Sequence, residues 1–162
     1  MTERSFTFDY ARVSTFMEDW NIEWLLSDMN RLDDEGEVIG TEITDKFQVV
    51  VATYAPNNID ECLDENGCLS EDDVVTEYTF DGTTYDLRKN IGLFYDPVDE
   101  IIGISSAVRY DIGEAEIPLK AIFITNDNGR VLGFTINMIS FKITNALIFD
   151  KNAILFDVQG GD

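Results

Sequence analysis

Histidine is absent from the 162-residue sequence. Its absence removes the commonest general base and the commonest metal ligand before any motif is considered. Cysteine is scarce: Cys62 and Cys68 are the two thiols, too few for a structural zinc site, which takes four soft or imidazole ligands. Cations are scarce as well, with 11 Lys and Arg against 32 Asp and Glu and a net charge of -21. That balance argues against naked nucleic acid or an anionic membrane surface as a partner. No apolar run approaches the ~20 residues of a membrane span, and the opening MTERSFTFDYARVS lacks the basic-then-apolar order of a secretion signal, so a cytoplasmic origin is expected. Gly-rich phosphate loops are missing too, since Gly160 and Gly161 form a tail and not a turn between strand and helix.

The chain does have enough apolar residues, 44% of the total, to bury one core without metals or disulfides, and a single domain over 1–162 is expected. Its charge is uneven. Residues 1–100 hold 25 acids and 6 bases, whereas residues 101–162 hold 7 and 5. One end repels and solvates; the other can be covered. Adaptation to high salt is a minor reading of such acidity, and the abundance of Ile and Asn fits it poorly.

One amphipathic helix is predicted in the N-terminal segment 1–35. Thr15 and Glu18 have the T-x-x-E spacing of a capping box. Behind them Phe16, Trp20 and Trp24 recur at i, i+4 with Met17, Leu25, Met29 and Leu32, while Glu18, Asp19, Glu23, Asp28 and Arg31 take the other positions. Large aromatics at this spacing usually cover the protein's own sheet. Docking of Trp20 and Trp24 on a neighbouring subunit is the functional alternative.

From residue 36 the hydrophobic period changes to two. One or two strands are predicted in 36–54, the second, Phe47 to Tyr54, β-branched enough to be buried on both faces. An acidic connection follows over 55–73, and then a hairpin-rich region over 74–159. Asp81-Gly82 is a type I′ turn signal placing Tyr78 opposite Tyr85 and Phe80 opposite Thr83. Asp96-Pro97 opens a longer turn. Asn128-Gly129 would pair Asp127 with Arg130 and Phe123 with Phe134, and Lys151-Asn152 would pair Phe149 with Ile154. The expected class is a β-rich α+β fold, an antiparallel sandwich or barrel built from successive hairpins with the one helix at its end.

The stretch CLDENGCLSEDD, residues 62–73, is the one segment that invites a chemical reading. Counted as a calcium loop from Cys62, it places Asp64, Asn66 and Asp73 at ligand positions. Cys at the first position is too soft and Asp at the twelfth too short, so no metal is expected. The two cysteines could close a small ring, although a cytoplasmic protein keeps them as thiols. Nucleophilic catalysis by either is disfavoured, because seven carboxylates around them (Asp60, Glu61, Asp64, Glu65, Glu71, Asp72, Asp73) should raise a thiol pKa. Asp96, Asp99 and Glu100 could supply a hydrolase pair, but nothing in the sequence converges them. No catalytic set and no cofactor are expected; the same seven acids, with Trp20 and Trp24, are the candidates for protein contact.

LKAIFITNDNGRVLGFTI and NIGLFYDPVDEIIGIS resemble the strand, Asp/Asn turn, strand units of structural proteins of tailed-phage virions, particularly tail, fibre-adaptor and head-decoration components. The likeness covers residues 76–158. It implies a non-enzymatic module located in the virion, packed in symmetric copies against itself or other structural proteins, with no cofactor. The sequence itself points to the same class: the nearly neutral C-terminal region carries more Ile, Phe, Leu and Val than one small core needs, and homo-oligomerisation would cover the excess. The competing reading is an acidic inhibitor that mimics the phosphate array of DNA, supported by the charge of residues 1–100.

Overall fold

The run FQVVVA forms the centre of the protein. Strand β3 (Phe47–Ala52) is flanked on both edges and buried on both faces, as its three consecutive valines predict. The computed structural model describes residues 5–7, 15–16, 25–105, 107–136, 141–149 and 154–157. Before β3 come β1 (Ser5–Thr7), β2 (Thr15–Phe16) and a 3-10 turn at Leu26–Asp28. After it come the short helix α1 (Ile59–Cys62) and strands β4 (Glu77–Phe80), β5 (Thr83–Asp86), β6 (Arg88–Ile91), β7 (Leu93–Asp96), β8 (Ile101–Ile104), β9 (Val108–Leu119), β10 (Ala121–Asn126), β11 (Val131–Thr135), β12 (Phe141–Phe149) and β13 (Ile154–Asp157). The strand-rich class is therefore as expected.

The strands make a five-stranded sheet in the order β2-β11-β10-β3-β6, two three-stranded sheets, β1-β12-β9 and β13-β8-β7, and the separate hairpin β4-β5. Pairing is antiparallel except between β1 and β12. The pleat of β3 and β10 sends alternate side chains to opposite faces. Phe47, Val49, Val51, Ile122 and Ile124 enter a first core with Ile91, Leu93, Ile102, Ile104 and Tyr110. Val50, Ala52, Ala121 and Phe123 face the other way into a second core with Ala55, Cys62 and Val74. In the first core the Tyr110 hydroxyl donates to the Val49 carbonyl at 3.0 Å, and burial pushes its pKa well above the ordinary tyrosine range.

Two predicted hairpins form, and the first has the predicted register. Tyr78 faces Tyr85 and Phe80 faces Thr83 around a turn with φ of 50° at Asp81 and 78° at Gly82, the pair of left-handed residues a type I′ turn requires. Between β7 and β8 the Asp96 carboxylate accepts from the Val98 and Asp99 amides. In the β10–β11 hairpin Phe123 does face Phe134, but the turn is displaced by one residue. Asn126, not Asp127, pairs with Arg130 through the bond from the Asn126 N–H to the Arg130 carbonyl, because an irregularity between Ile124 and Thr125 shifts the register.

The fourth hairpin does not form. Phe149 pairs with Val108 and Ile154 with Gly103, so β12 and β13 join different sheets and run in one register, five residues apart on each side, beside β8 and β9. Nor is the N-terminal helix shown. Thr15 and Phe16, read as its cap and first turn, pair as a strand with Phe134 and Gly133, and its far end is a 3-10 turn followed by bridges at Asn30 and Leu32. Residues 17–24, with Trp20 and Trp24, lie outside the described residues. The first strand considered in 36–54 reduces to a bridge at Val38. Among the described residues no helix is long and apolar enough to cross a membrane.

A polar clasp ties the 26–43 segment to the sheets. The Asn30 side chain, 4% exposed, accepts from the Ile43 N–H at 2.6 Å and donates to the Ile43 carbonyl, the Leu93 carbonyl and the Ser105 hydroxyl. Ser105 donates onward to the Glu42 carboxylate at 2.9 Å. Gly92 is what lets these groups meet: a Cβ there would press on the Ser105 hydroxyl and come within 2.7 Å of the Ile43 carbonyl and 2.8 Å of the Asn30 amide.

Candidate functional site: an acidic ledge and the cleft behind it

The acidic connection 55–73 is folded, contrary to its irregular pattern. Asn58 caps α1 by accepting from the Asp60 N–H at 3.0 Å. The Asp64 carboxylate accepts from the Asn66 and Cys68 amides at 2.8 and 3.0 Å, tightening a turn closed by the bond from the Asp64 N–H to the Cys68 carbonyl. The Ser70 hydroxyl donates to Asp73 at 2.9 Å. Backbone bonds then fasten this structure to the β10–β11 turn: the Leu69 N–H donates to the Gly129 carbonyl at 2.9 Å and the Val131 N–H to the Gly67 carbonyl at 3.1 Å.

Docking makes the segment two-sided. Ala55, Cys62 and Val74 are buried, with Ile59, Leu63 and Leu69 packed against them, while Asp60, Glu61, Asp64, Glu65, Glu71, Asp72 and Asp73 are all exposed. Apolar burial holds the ledge down, and the charges are left in water, where they cost least. No Lys or Arg occurs between Lys46 and Arg88, so the ledge has no cation of its own. Arg88 reaches it from β6, donating to Glu71 at 3.2 Å and to the Thr76 hydroxyl at 3.3 Å.

The ledge divides its acids between two sides. On one, Asp60, Glu61 and Asp73 stand with Leu63 and the exposed Tyr54. On the other, Asp64, Glu71 and Asp72 face Asp127 and Asn128 of the β10–β11 turn across an open cleft of about 680 Å³. The floor of this cleft is the second face of the five-stranded sheet where the ledge leaves it uncovered: Gln48, Val50, Arg88 and Thr125. Thr125 is 1% exposed, and its hydroxyl has no hydrogen-bond partner.

Asp64 and Asp73, with Asn66 between them in sequence, face different sides of the ledge; among the described residues no three His, Cys, Asp or Glu side chains are grouped to hold a metal ion, and the Asp64 carboxylate is engaged by backbone amides. Both cysteines are free thiols. Cys62 is buried and donates to the carbonyls of Asn58 and Pro56; Cys68 contacts the Asn128 carbonyl. Burial, then the charges of Glu61 and Asp73, push the Cys62 pKa up to about 11, so the expected effect of the carboxylates is present but second to desolvation.

Gln48, Arg88, Thr125 and Asp127 were not legible as members of one site. They come from separate strands and a turn, and the nearest signal is a lone Thr closing the apolar run AIFIT in β10. Compared with family models, curated proteins and solved structures, the chain has no match in any of the three.

Proposed function

We propose that the chain is a non-enzymatic assembly protein acting through protein–protein contacts, as a tail or head–tail component of a phage virion packed in symmetric copies or against other structural proteins. The observation that carries this reading is the ledge: seven exposed carboxylates on backbone that is already hydrogen-bonded and partly buried. A charged loop that was free would lose conformational entropy on binding. This one is ordered in advance, and an excess of negative charge on a fixed surface favours a basic partner and repels copies that approach in the wrong geometry. The virion assignment draws on the hairpin units of residues 76–158; the two stretches that carry the resemblance fold as the antiparallel pairs β7–β8 and β10–β11. The same reading takes the architecture as a sandwich, supported by a first core to which the five-stranded sheet, β7–β8 and β9 all contribute.

Incorporation into particles tests it. The chain should co-sediment with the particle fraction of its source, and neutralising the ledge (Asp60, Glu61, Asp64, Glu65, Glu71, Asp72 and Asp73 to their amides) should release it without unfolding it. Retention of a DNA-binding protein, released by added DNA, would replace this reading with that of a DNA-mimic inhibitor.

A further inference from the structure

We propose that the cleft between the ledge and the β10–β11 turn seats the guanidinium of an arginine presented by a partner protein; this rests on the assembly reading above. The Thr125 hydroxyl is the first reason. The residue is 1% exposed and lines the cleft, and its buried hydroxyl has no partner, a costly state for a buried polar group. Valine would fill the same space at no such cost, and the other buried positions of β10 are Ala, Ile and Phe. A ligand donor in the cleft gives the hydroxyl a use.

Gln48, directly across from Thr125 in the register, is oriented by its neighbour. Its Nε2 donates to Asn90 Oδ1 at 3.1 Å, which leaves its Oε1 as an acceptor. Around the neutral Gln48 and Thr125 part of the floor stands a charged rim of Asp64, Asp72 and Asp127. The cation that lines the cleft, Arg88, is drawn aside to Glu71 and Thr76. Acceptors thus lie in several directions around one space, with charge at the mouth and neutral oxygens at the bottom.

That pattern selects among cations. Carboxylates that do not converge cannot hold a metal ion. A guanidinium offers five N–H donors in a fixed plane and is more weakly hydrated than an ammonium, so it satisfies spread acceptors at lower desolvation cost. The cleft, at about 680 Å³, also has room for the stem and flanking backbone of an arginine, which a free small cation would leave unfilled.

The test is an amide-resolved NMR titration of the intact protein with an acetylated, amidated Gly-Arg-Gly peptide, with Gly-Lys-Gly and spermidine as separate arms. The arginine peptide should shift Gln48, Thr125 and Asp127 to Gly129, saturably and less at high salt, and should bind more tightly than the other two. Thr125→Val should fold, and should weaken binding about fivefold, the worth of one hydrogen bond. Asp127→Asn, on the exposed turn, should weaken it too, whereas Asp34→Asn should not. Wild-type affinity in both Thr125→Val and Asp127→Asn overturns the proposal, as does tighter binding of spermidine. Shifts confined to Asp60, Glu61 and Asp73 would refute the cleft and leave the assembly reading standing. No shift with any probe, together with no incorporation into particles, would end both.

Discussion

Replacing Asn30 with leucine should destabilise the protein far more than its place in an irregular segment suggests. Leucine has a similar volume but neither accepts nor donates, so the substitution removes four side-chain bonds, two of them to Ile43 at 2.6 and 2.9 Å. The Leu93 carbonyl still receives the Asn30 backbone N–H and Ser105 keeps Glu42, so the main loss falls on the two Ile43 groups. At roughly 1–3 kcal/mol for each part-buried group left unmet, the cost is about 3 kcal/mol. With a urea m-value of about 2 kcal/mol/M for a chain of this size, the midpoint should fall by about 1.5 M. Asn57→Leu, at an exposed residue with no side-chain bond, is the control and should stay within about 0.5 kcal/mol of wild type. Gly92→Ala perturbs the same clasp by crowding, and the double variant should cost less than the sum of the singles because both break one network. Equal midpoints for Asn30→Leu and Asn57→Leu would refute the clasp.

Three further outcomes are expected. A thiol reagent near neutral pH should titrate one group per native chain, half-exposed Cys68, and a second only after denaturation, since Cys62 is 0% exposed; two fast thiols or none would contradict this. Cys62 has a folded pKa raised from 9.0 to about 11, so its contribution to stability is complete below about pH 9 and is lost as pH rises through about 11. Urea midpoints across that window should fall more steeply for wild type than for Cys62→Ala, with buried Tyr110 adding a decline in both; parallel curves would be the contrary result. Gly82→Ala should cost about 1 kcal/mol, because φ there is +78°, and should speed amide exchange in β4–β5 while sparing β3.

Local chemistry was readable and long-range partnership was not. Asp81-Gly82 and Asp96-Pro97 specify their turns within four or five residues, and both hairpins follow. Lys151-Asn152 also reads as a turn between apolar arms, yet β12 and β13 find β9 and β8, whose pairing no nearby residue announces. Thr15 and Glu18 carry a helix signal in sequence, but Thr15 meets Phe134 across β2 and β11, a tertiary contact that overrides propensity. The charges of residues 55–73 were visible and their fixation was not, because the bonds that hold the ledge come from Gly129 and Val131. For the same reason the cleft was invisible: its floor joins Gln48, Arg88 and Thr125 only after three strands have paired.

Sedimentation velocity of the purified chain, alone and mixed with the particle components of its source, at low and high ionic strength, addresses the assembly claim most directly. The expected result is a closed oligomer or a heteromeric complex, with any ledge-mediated species dissociating as salt screens the carboxylates. A monomer under every condition, indifferent to salt and to every component, would contradict it.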